Sequence, residues 1–237
     1  MDQVSESSDS VTVAVFAKQA RAGEVMTRLG AAIGEEEAAE LYRAFLADIA
    51  HTVGGLEREL ERPIRALCAY TGRMDDPGFA PFDEEGFEFI EQSGADLGAR
   101  LSTIVEEHFS RRASPLLIIG ADSPTLSARH FEQALDRLSE RQVVLGPSFD
   151  GGYYLIGLDG PHTSVFREID WSSRRVLGQT LRRCREASLL CETLEFWYDV
   201  DTIDDLKVLE MHLFDYLRHH QPSVARHTAE RLRRQGP

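Results

Sequence analysis

The sequence predicts an α/β fold, with one domain built on a Rossmann-like, mostly parallel sheet flanked by helices. Apolar, β-rich runs alternate along the chain with segments of helical periodicity. The 237 residues, of which 42% are hydrophobic, are enough for one large core, and neither an internal repeat nor a Pro/Ser/Gly-rich linker divides them. We therefore expect a single domain over residues 11–220, preceded by a flexible segment 1–10 and followed by a basic tail or helix 221–237.

The predicted strands are short runs of branched and aromatic residues between turn-forming residues. The run PLLIIGA at 115–121 is the most apolar and predicts a central parallel strand with both faces buried. In chain order the predicted strands are residues 11–18, 64–71, 87–92, 115–121, 142–147, 153–158 and 189–194.

The predicted helices carry apolar residues at helical spacing, with capping residues or acids at their first turns. Ser127 and Thr202 are suited to be N-caps. In chain order the predicted helices are residues 35–51, 96–111, 127–139, 172–187 and 202–220. The intervening loops include 19–34, which could contain one helical turn, 72–86 and 148–152.

The charge balance limits the classes of partner. There are 26 Lys and Arg residues against 40 Asp and Glu residues, which gives a net charge of −14 and argues against binding to nucleic acid or to an anionic membrane surface. The three cysteines have no C-x-x-C spacing, which argues against a disulfide framework or a zinc site. The polar start of the chain lacks the features of a signal peptide, so we expect a cytoplasmic protein.

Charged residues follow several of the predicted strands, at the sheet edge where open α/β sheets bind ligands. Lys18 and Arg28 follow the first strand, and Asp122 follows the central strand. Asp150 lies in the loop 148–152, and Asp199 and Asp201 precede the last long helix. Carboxylates together with cations suit a complex of Mg²⁺ or Mn²⁺ with a nucleotide.

Each of these residues also has a purely structural interpretation. Asp122 could start the helix that follows it, Asp150 could belong to an ordinary turn, and Asp199 and Asp201 could cap the last helix. The loop that contains Gly23 is neither a P-loop nor a G-x-G-x-x-G dinucleotide fingerprint. The residues alone therefore leave both interpretations open.

A set of ordered motifs resembles a known family. The motifs are VFAK at 15–18, QxGxDLGxRL at 92–101, GADSPTL at 120–126, GPxxDGGYYLIGL at 146–158, WSSxRVLxQTL at 171–181 and WYDVDTxxDL at 197–206. They resemble the radical-SAM/selenodomain-associated transferases of type 1, which are glycosyltransferase A-like. They are more distantly similar to 2-phospho-L-lactate guanylyltransferase and the molybdenum-cofactor guanylyltransferases. The resemblance covers about residues 11–210 and implies a nucleotide-diphosphosugar transferase (GT-A) fold.

The resemblance also implies roles for individual residues and a divalent metal, Mg²⁺ or Mn²⁺. Asp122 and Asp201 would be the metal ligands, and Asp122 and Asp150 the catalytic acids. The nucleotide and its phosphates would be bound by Lys18, Gly23, Arg28, Asp96 and Gly98. The sugar or the acceptor would be bound by Gly151, Gly152, Tyr153 and Trp197.

The sequence departs from the family pattern mainly in the first loop. Ala20 and Ala22 replace two prolines, Glu24 and Met26 replace two basic residues, and Arg21 adds one basic residue back. Phe149 stands where the family commonly has an acid, and Ile203 where proline usually opens the last helix. The loop thus loses positive charge where a triphosphate would lie.

Three functions are compatible with these motifs and departures. The favoured one is metal-dependent transfer of a sugar from a nucleotide-sugar to a small acceptor. The first alternative is nucleotidyl transfer to a small phosphorylated substrate, which the altered first loop disfavours because the reacting phosphate needs charge stabilisation. The second alternative is a catalytically degraded nucleotide-binding protein that keeps the fold. The oligomeric state is left open.

Overall fold

A seven-stranded mixed sheet forms the centre of the computed structural model, which describes residues 10–221 and 223–235. Its strands are β1 Val11–Lys18, β2 Ile64–Thr71, β3 Glu88–Glu91, β4 Leu116–Gly120, β5 Val143–Pro147, β6 Tyr153–Leu158 and β7 Cys191–Thr193. They lie in the order β3-β2-β1-β4-β6-β5-β7. Six strands run parallel, and β6 alone runs antiparallel to its neighbours β4 and β5. The predicted mostly parallel α/β sheet is confirmed.

Helices cover both faces of the sheet. They are α1 Thr27–Ile33, α2 Glu35–Glu59, α3 Ala80–Glu84, α4 Leu97–Arg111, α5 Ala128–Leu138, α6 Val176–Glu186, α7 Ile203–Met211, α8 Arg218–His220 and α9 Arg226–Gln235. Short 3₁₀ turns lie at Pro77–Phe79 and Thr163–Phe166, and a π-helical segment, His212–Leu217, joins α7 to α8. Among the described helices, none combines the length and apolarity that crossing a bilayer requires.

Two apolar cores lie on opposite faces of the sheet because side chains alternate along each strand. Val13 and Val15 of β1 belong to the core beneath α2, α5 and α7, whereas Ala14 belongs to the core beneath α4 and α6. Phe45 and Phe131 are fully buried in the first core. Burial on both faces explains why β1 and β4 are continuous apolar runs rather than alternating ones.

The reversed direction of β6 follows from its short connection to β5. The loop of residues 148–152 is long enough for a hairpin but far too short for the crossover that a parallel partner needs. Since β6 runs backwards, its first residue, Tyr153, pairs with Pro147 at the end of β5. The loop 148–152 therefore lies at the same edge of the sheet as the carboxyl ends of β1 and β4.

Helix α2 is eight residues longer than the predicted helix 35–51. Val53 and Leu56 continue its buried stripe past the Gly54-Gly55 pair. A Cβ atom at Gly54 would lie 2.5 Å from Oε2 of Glu85, so glycine permits close approach of the segment that follows α3. The helical turn that the sequence allows within the predicted loop 19–34 is α1, and the predicted loop 72–86 contains the short helix α3, which has no strong helical periodicity.

The C-terminal helix α9 packs on α2. The carboxylate of Asp48, which is buried in α2, accepts the backbone N–H groups of His227 and Thr228 at 2.8 Å each. These are donors of the first turn of α9, which have no partner within the helix. The predicted flexible segment 1–10 lies, except for Ser10, outside the described residues.

Candidate active site

Three carboxylates meet at the edge of the sheet. Asp150 lies between β5 and β6, and Asp199 and Asp201 lie between β7 and α7. Each offers a carboxylate oxygen, and these three oxygens lie within 4.8 Å of one another. We call Asp150, Asp199 and Asp201 the acidic cluster. The two loops that form it are about 50 residues apart in sequence, so only the fold brings these side chains together.

Backbone contacts fix the two loops of the acidic cluster against each other. The N–H of Trp197 donates to the carbonyl of Pro147 at 3.0 Å, and Ser148 and Trp197 form an isolated parallel bridge. The carboxylate of Asp150 is held from within its own loop, because its Oδ1 accepts the Ser148 hydroxyl at 2.5 Å and the Gly152 N–H at 2.7 Å. Among the hydrogen bonds of the described residues, none engages its second oxygen, Oδ2.

Gly151 is the residue that allows this loop to close. Its φ is +96°, and a Cβ atom there would lie 2.4 Å from the carbonyl oxygen of Arg174. The N–H of Leu177 donates to the carbonyl of Gly151 at 2.9 Å, which ties the loop to the start of α6. A side chain at this position would both strain the backbone and displace the loop.

The helix cap beside the cluster is formed by other residues. The hydroxyl of Thr202 accepts the N–H of Asp205, and the Asp205 carboxylate accepts the N–H of Thr202, in a reciprocal capping box. Asp199 and Asp201 are therefore not needed as the caps of α7. The structural interpretation of these two acids is thereby weakened, and a ligand-binding role is favoured.

Burial and repulsion between neighbouring carboxylates raise the pKa values of two acids of the cluster. Burial, followed by the neighbouring Asp150, raises the pKa of Asp199 to about 7. Burial also raises the pKa of Asp201, against which the Arg28 guanidinium acts; its Nη1 lies 3.6 Å from Oδ2 of Asp201. Acids that resist ionisation when they are close together are stabilised by a bound cation.

The geometry of the cluster fits a hard divalent cation. Mg²⁺ binds oxygens at about 2.1 Å, so that oxygens sharing one ion lie roughly 3–4 Å apart. The present separations of up to 4.8 Å need only small side-chain rotations to reach that range. Asp150, Asp199 and Asp201 would hold the ion.

Asp122 lies next to the cluster but is not one of the three. Its backbone carbonyl accepts the N–H of Val200 at 2.9 Å, so the end of β4 is joined to the segment that carries Asp199 and Asp201. Burial raises the pKa of Asp122 to about 6, with Asp201 adding to the shift and Lys18 opposing it. The metal pair of Asp122 and Asp201 stays a prediction, while the three carboxylate oxygens that lie together are those of Asp150, Asp199 and Asp201.

A cavity of about 240 Å³ lies on the cationic side of this edge, between the ends of β1 and β2. It is lined by Lys18, Gln19, Arg21, Glu24, Thr71 and Gly72. Arg21 lies 3.5 Å from Glu24, so part of the charge it contributes is neutralised within the loop. Gly23 turns the loop with a φ of +77°. Of the two predicted cations, which are both exposed, Lys18 lines the cavity, whereas Arg28 lies against Asp201 of the acidic cluster.

The other predicted ligand-binding residues have structural partners. Asp96 is the N-cap of α4, its Oδ1 accepting the N–H of Ala99 at 2.8 Å, and Gly98 packs so closely on Trp171 that a Cβ would lie 2.7 Å from Nε1. The Tyr153 ring packs into the core beneath α6, and its hydroxyl is buried. Among the contacts of the described residues, none joins Asp96, Gly98 or Tyr153 to the acidic cluster.

Trp197 anchors the segment that leads to Asp199 and Asp201. Its indole N–H donates to the Thr125 hydroxyl at 3.0 Å, and its ring contacts His130 at a centroid distance of 4.4 Å. It is half-buried, and its neighbour Tyr198 shares a hydrogen bond of 2.7 Å with Nδ1 of His212. These contacts hold the segment that carries Asp199 and Asp201.

The predicted metal pair omitted Asp199, and no role was predicted for Phe196. The D-x-D spacing of Asp199 and Asp201 is the sequence signal that could have added Asp199 to the predicted metal ligands. In an extended segment, residues two apart face the same side, so the two acids were a natural pair. The position of Phe196 carries no comparable local signal.

Comparison with known proteins identifies the relatives of this chain. A family model described as "Uncharacterized protein conserved in bacteria (DUF2064)" matches residues 58–173. A protein of Desulfovibrio desulfuricans G20, provisionally named a nucleotide-diphospho-sugar transferase, is 30% identical, with a TM-score of 0.80 over 95% of this chain and 94% of that chain. No curated protein matches the sequence significantly.

More remote structures share the fold. A cytidylyltransferase of Leptospira borgpetersenii serovar Hardjo-bovis is 11% identical, with a TM-score of 0.54 over 95% of this chain and 94% of its own. The 4-diphosphocytidyl-2C-methyl-D-erythritol synthase of Anaerococcus prevotii is 9% identical, with a TM-score of 0.54 over 85% of this chain and 97% of its own. The more specific resemblance to the radical-SAM-associated transferases stays a prediction. Residues 58–173 match the DUF2064 family model. The chain belongs to the same family as the Desulfovibrio protein and has the fold of the nucleotide-diphospho-sugar transferases.

Proposed function

We propose that this protein is a metal-dependent transferase that moves a sugar from a nucleotide-sugar to a small acceptor. The observation that carries the proposal is the acidic cluster of Asp150, Asp199 and Asp201, which lies at the ligand-binding edge of the sheet beside exposed Lys18 and Arg28. This combination suits a diphosphate and a divalent cation together. The fold and the relative from Desulfovibrio support it.

Different residues bind the diphosphate of the nucleotide-sugar and the acceptor hydroxyl. When bound, Mg²⁺ or Mn²⁺ would act as a Lewis acid on the departing diphosphate. Lys18 and Arg28 bind the phosphate oxygens from the cavity side. On the other side of the cluster, Asp150 orients the acceptor hydroxyl with Oδ2, because Oδ1 is already engaged by Ser148 and Gly152.

The main rival is nucleotidyl transfer from a nucleoside triphosphate. That reaction places more negative charge on the cationic side, where the Arg21–Glu24 ion pair leaves little free positive charge in the loop. This distribution of charge is our reason for preferring sugar transfer. A nucleotide-binding protein without catalytic activity is the third possibility, and it would not require the cluster to bind a metal.

A thermal-shift panel tests the proposal, since a ligand that binds only the folded state stabilises it. UDP-glucose and GDP-mannose are compared with the four common nucleoside triphosphates, each with and without Mn²⁺. We expect Mn²⁺ with a nucleotide-sugar to raise the Tm of the wild type, and Asp199→Asn or Asp201→Asn to abolish the shift. Asp204→Asn is the matched control, because Asp204 is exposed on α7 and pairs with Lys207.

The other possible results of the thermal-shift panel would each support one of the two alternative functions. A shift selective for a triphosphate, with pyrophosphate released on turnover, would indicate nucleotidyl transfer. If no nucleotide shifts the Tm and the Asp199 and Asp201 variants behave like the wild type, both enzymatic functions are wrong.

A further inference from the structure

Two phenylalanine rings are exposed beside the acidic cluster. Phe149 is 72% exposed, the most of any large apolar side chain in the described part of the chain, and Phe196 is 54% exposed. The rings stack on each other, with centroids 5.5 Å apart and planes inclined by 23°. Leaving this much aromatic surface in water is unfavourable, in proportion to its apolar area. We call Phe149 and Phe196 the aromatic plate.

The aromatic plate and the acidic cluster are built from the same two loops. Phe149 immediately precedes Asp150, and Phe196 lies three residues before Asp199. The bridge between Ser148 and Trp197 holds the two loops side by side. The same contact therefore brings together the two rings and the acids of the cluster. A molecule whose hydroxyl reaches Asp150 therefore binds at a loop that also carries Phe149.

The size of the plate indicates what covers it. Phenylalanine side chains present roughly 150–250 Å² each, so the two exposed fractions together amount to about 200–300 Å². A stable contact between protein copies buries about 800 Å² on each partner. The residues around the plate, including Glu195 and Asp150, are charged and exposed, and they do not extend it. The exposed area of the aromatic plate is therefore sufficient to bind a small flat ring but too small for a stable protein interface.

We propose that the aromatic plate binds the acceptor and selects a hydroxyl compound that carries an aromatic ring. The ring lies against the face of Phe149 or Phe196, in the offset-stacked geometry that aromatic pairs prefer, and its hydroxyl is directed to Asp150. This inference rests on the proposed function for the identity of the acceptor side. The binding of the ring by the two phenylalanines can be measured separately.

The test uses benzyl alcohol as the aromatic probe and glycerol as the polar comparison, with the full chain in Mg²⁺. Ligand-observed saturation-transfer NMR gives the dissociation constant of each probe. We expect benzyl alcohol to bind the wild type and to bind the Phe149→Ser/Phe196→Ser double variant about ten- to a hundredfold more weakly. Glycerol should show no difference between the two proteins. Leu190→Ser, which removes another exposed side chain at the amino end of β7, the opposite edge of the sheet from the cluster, should bind benzyl alcohol like the wild type.

Two further measurements keep the outcomes distinct. Calorimetric titration with Mn²⁺ should give equal affinities for the wild type and the double variant. If Mn²⁺ fails to bind either protein, the proposed function fails, while the benzyl alcohol result still decides the role of the plate. Analytical ultracentrifugation should show the same oligomeric state in both. Equal benzyl alcohol binding in the two proteins, no binding to the wild type, or dissociation of a wild-type oligomer in the double variant would each overturn the inference.

Discussion

Arg28 Nη1 lies 3.6 Å from Oδ2 of Asp201, so a cation on α1 contacts the acidic cluster directly. Both side chains are partly exposed, and such a pair contributes little to folding stability. The ion pair matters for ligand binding. A metal bound by Asp201 would compete with Arg28 for the carboxylate, and the Arg28 guanidinium would then be free to bind phosphate.

Replacing Arg28 should therefore separate nucleotide binding from metal binding. In Arg28→Ala we expect the affinity for UDP in Mn²⁺ to fall about tenfold, since a charge-assisted hydrogen bond to phosphate is lost. The affinity for Mn²⁺ alone should be unchanged or slightly higher. Isothermal titration calorimetry measures both, and Arg58→Ala at the exposed end of α2 is the control. A loss of Mn²⁺ affinity in Arg28→Ala would contradict this division of roles.

The raised pKa values of Asp122 and Asp199 predict how stability depends on pH. Their folded pKa values of about 6 and about 7 exceed the ordinary aspartate value of 3.8, so between these limits the folded state binds more protons than the unfolded state. The free energy of unfolding of the metal-free protein should therefore decrease by about 4 kcal/mol from about pH 5 to about pH 8. Urea denaturation measures the decrease, and Asp122→Asn should reduce its size.

Metal binding should show the opposite pH dependence. Ligand carboxylates must lose their protons before they bind a cation, so the affinity for Mn²⁺ should rise at least about tenfold between about pH 5.5 and about pH 7.5. Calorimetric titration at the two pH values measures this change. A constant affinity would show that the acidic cluster is not the metal site.

Gly151 should be required for the shape of the loop 148–152. In Gly151→Ala the new Cβ would meet the carbonyl of Arg174, and the positive φ adds backbone strain. We expect the free energy of unfolding to fall by about 1–3 kcal/mol and Mn²⁺ binding to weaken, because Asp150 moves with the loop. Gly178→Ala on α6 is the matched control: a Cβ there meets nothing within 4 Å, and it should stabilise the protein by up to about 1 kcal/mol.

Asp48 should hold α9 on the domain. In Asp48→Ala two backbone N–H groups of α9 lose their acceptor, and we expect a loss of about 2–4 kcal/mol in the free energy of unfolding. Earlier tryptic cleavage within α9 should accompany this loss. Glu37→Ala removes only the ion pair with Arg231 and should cost less than about 1 kcal/mol. If both variants cost the same, Asp48 does not cap the helix.

Much of the fold was predictable because burial leaves a local pattern. The boundaries of β1 and β2 are the predicted ones, since each apolar run is bounded by charged or turn-forming residues. The end of α2 was not predicted correctly, because the Gly54-Gly55 pair has low helix propensity. The helix continues past this pair because it packs against neighbouring segments.

The candidate site was predictable in its position but not in its composition. The residues alone indicate that acids and cations follow the strands of a mostly parallel sheet and must therefore meet at one edge. The folded chain was needed to establish that Asp150, Asp199 and Asp201 share one point while Asp122 lies beside it, and that Phe149 meets Phe196. The cause is that periodicity along the chain records which face of an element is buried. Contacts between loops about 50 residues apart depend instead on the path of the chain, here on the reversed strand β6 and the bridge from Ser148 to Trp197.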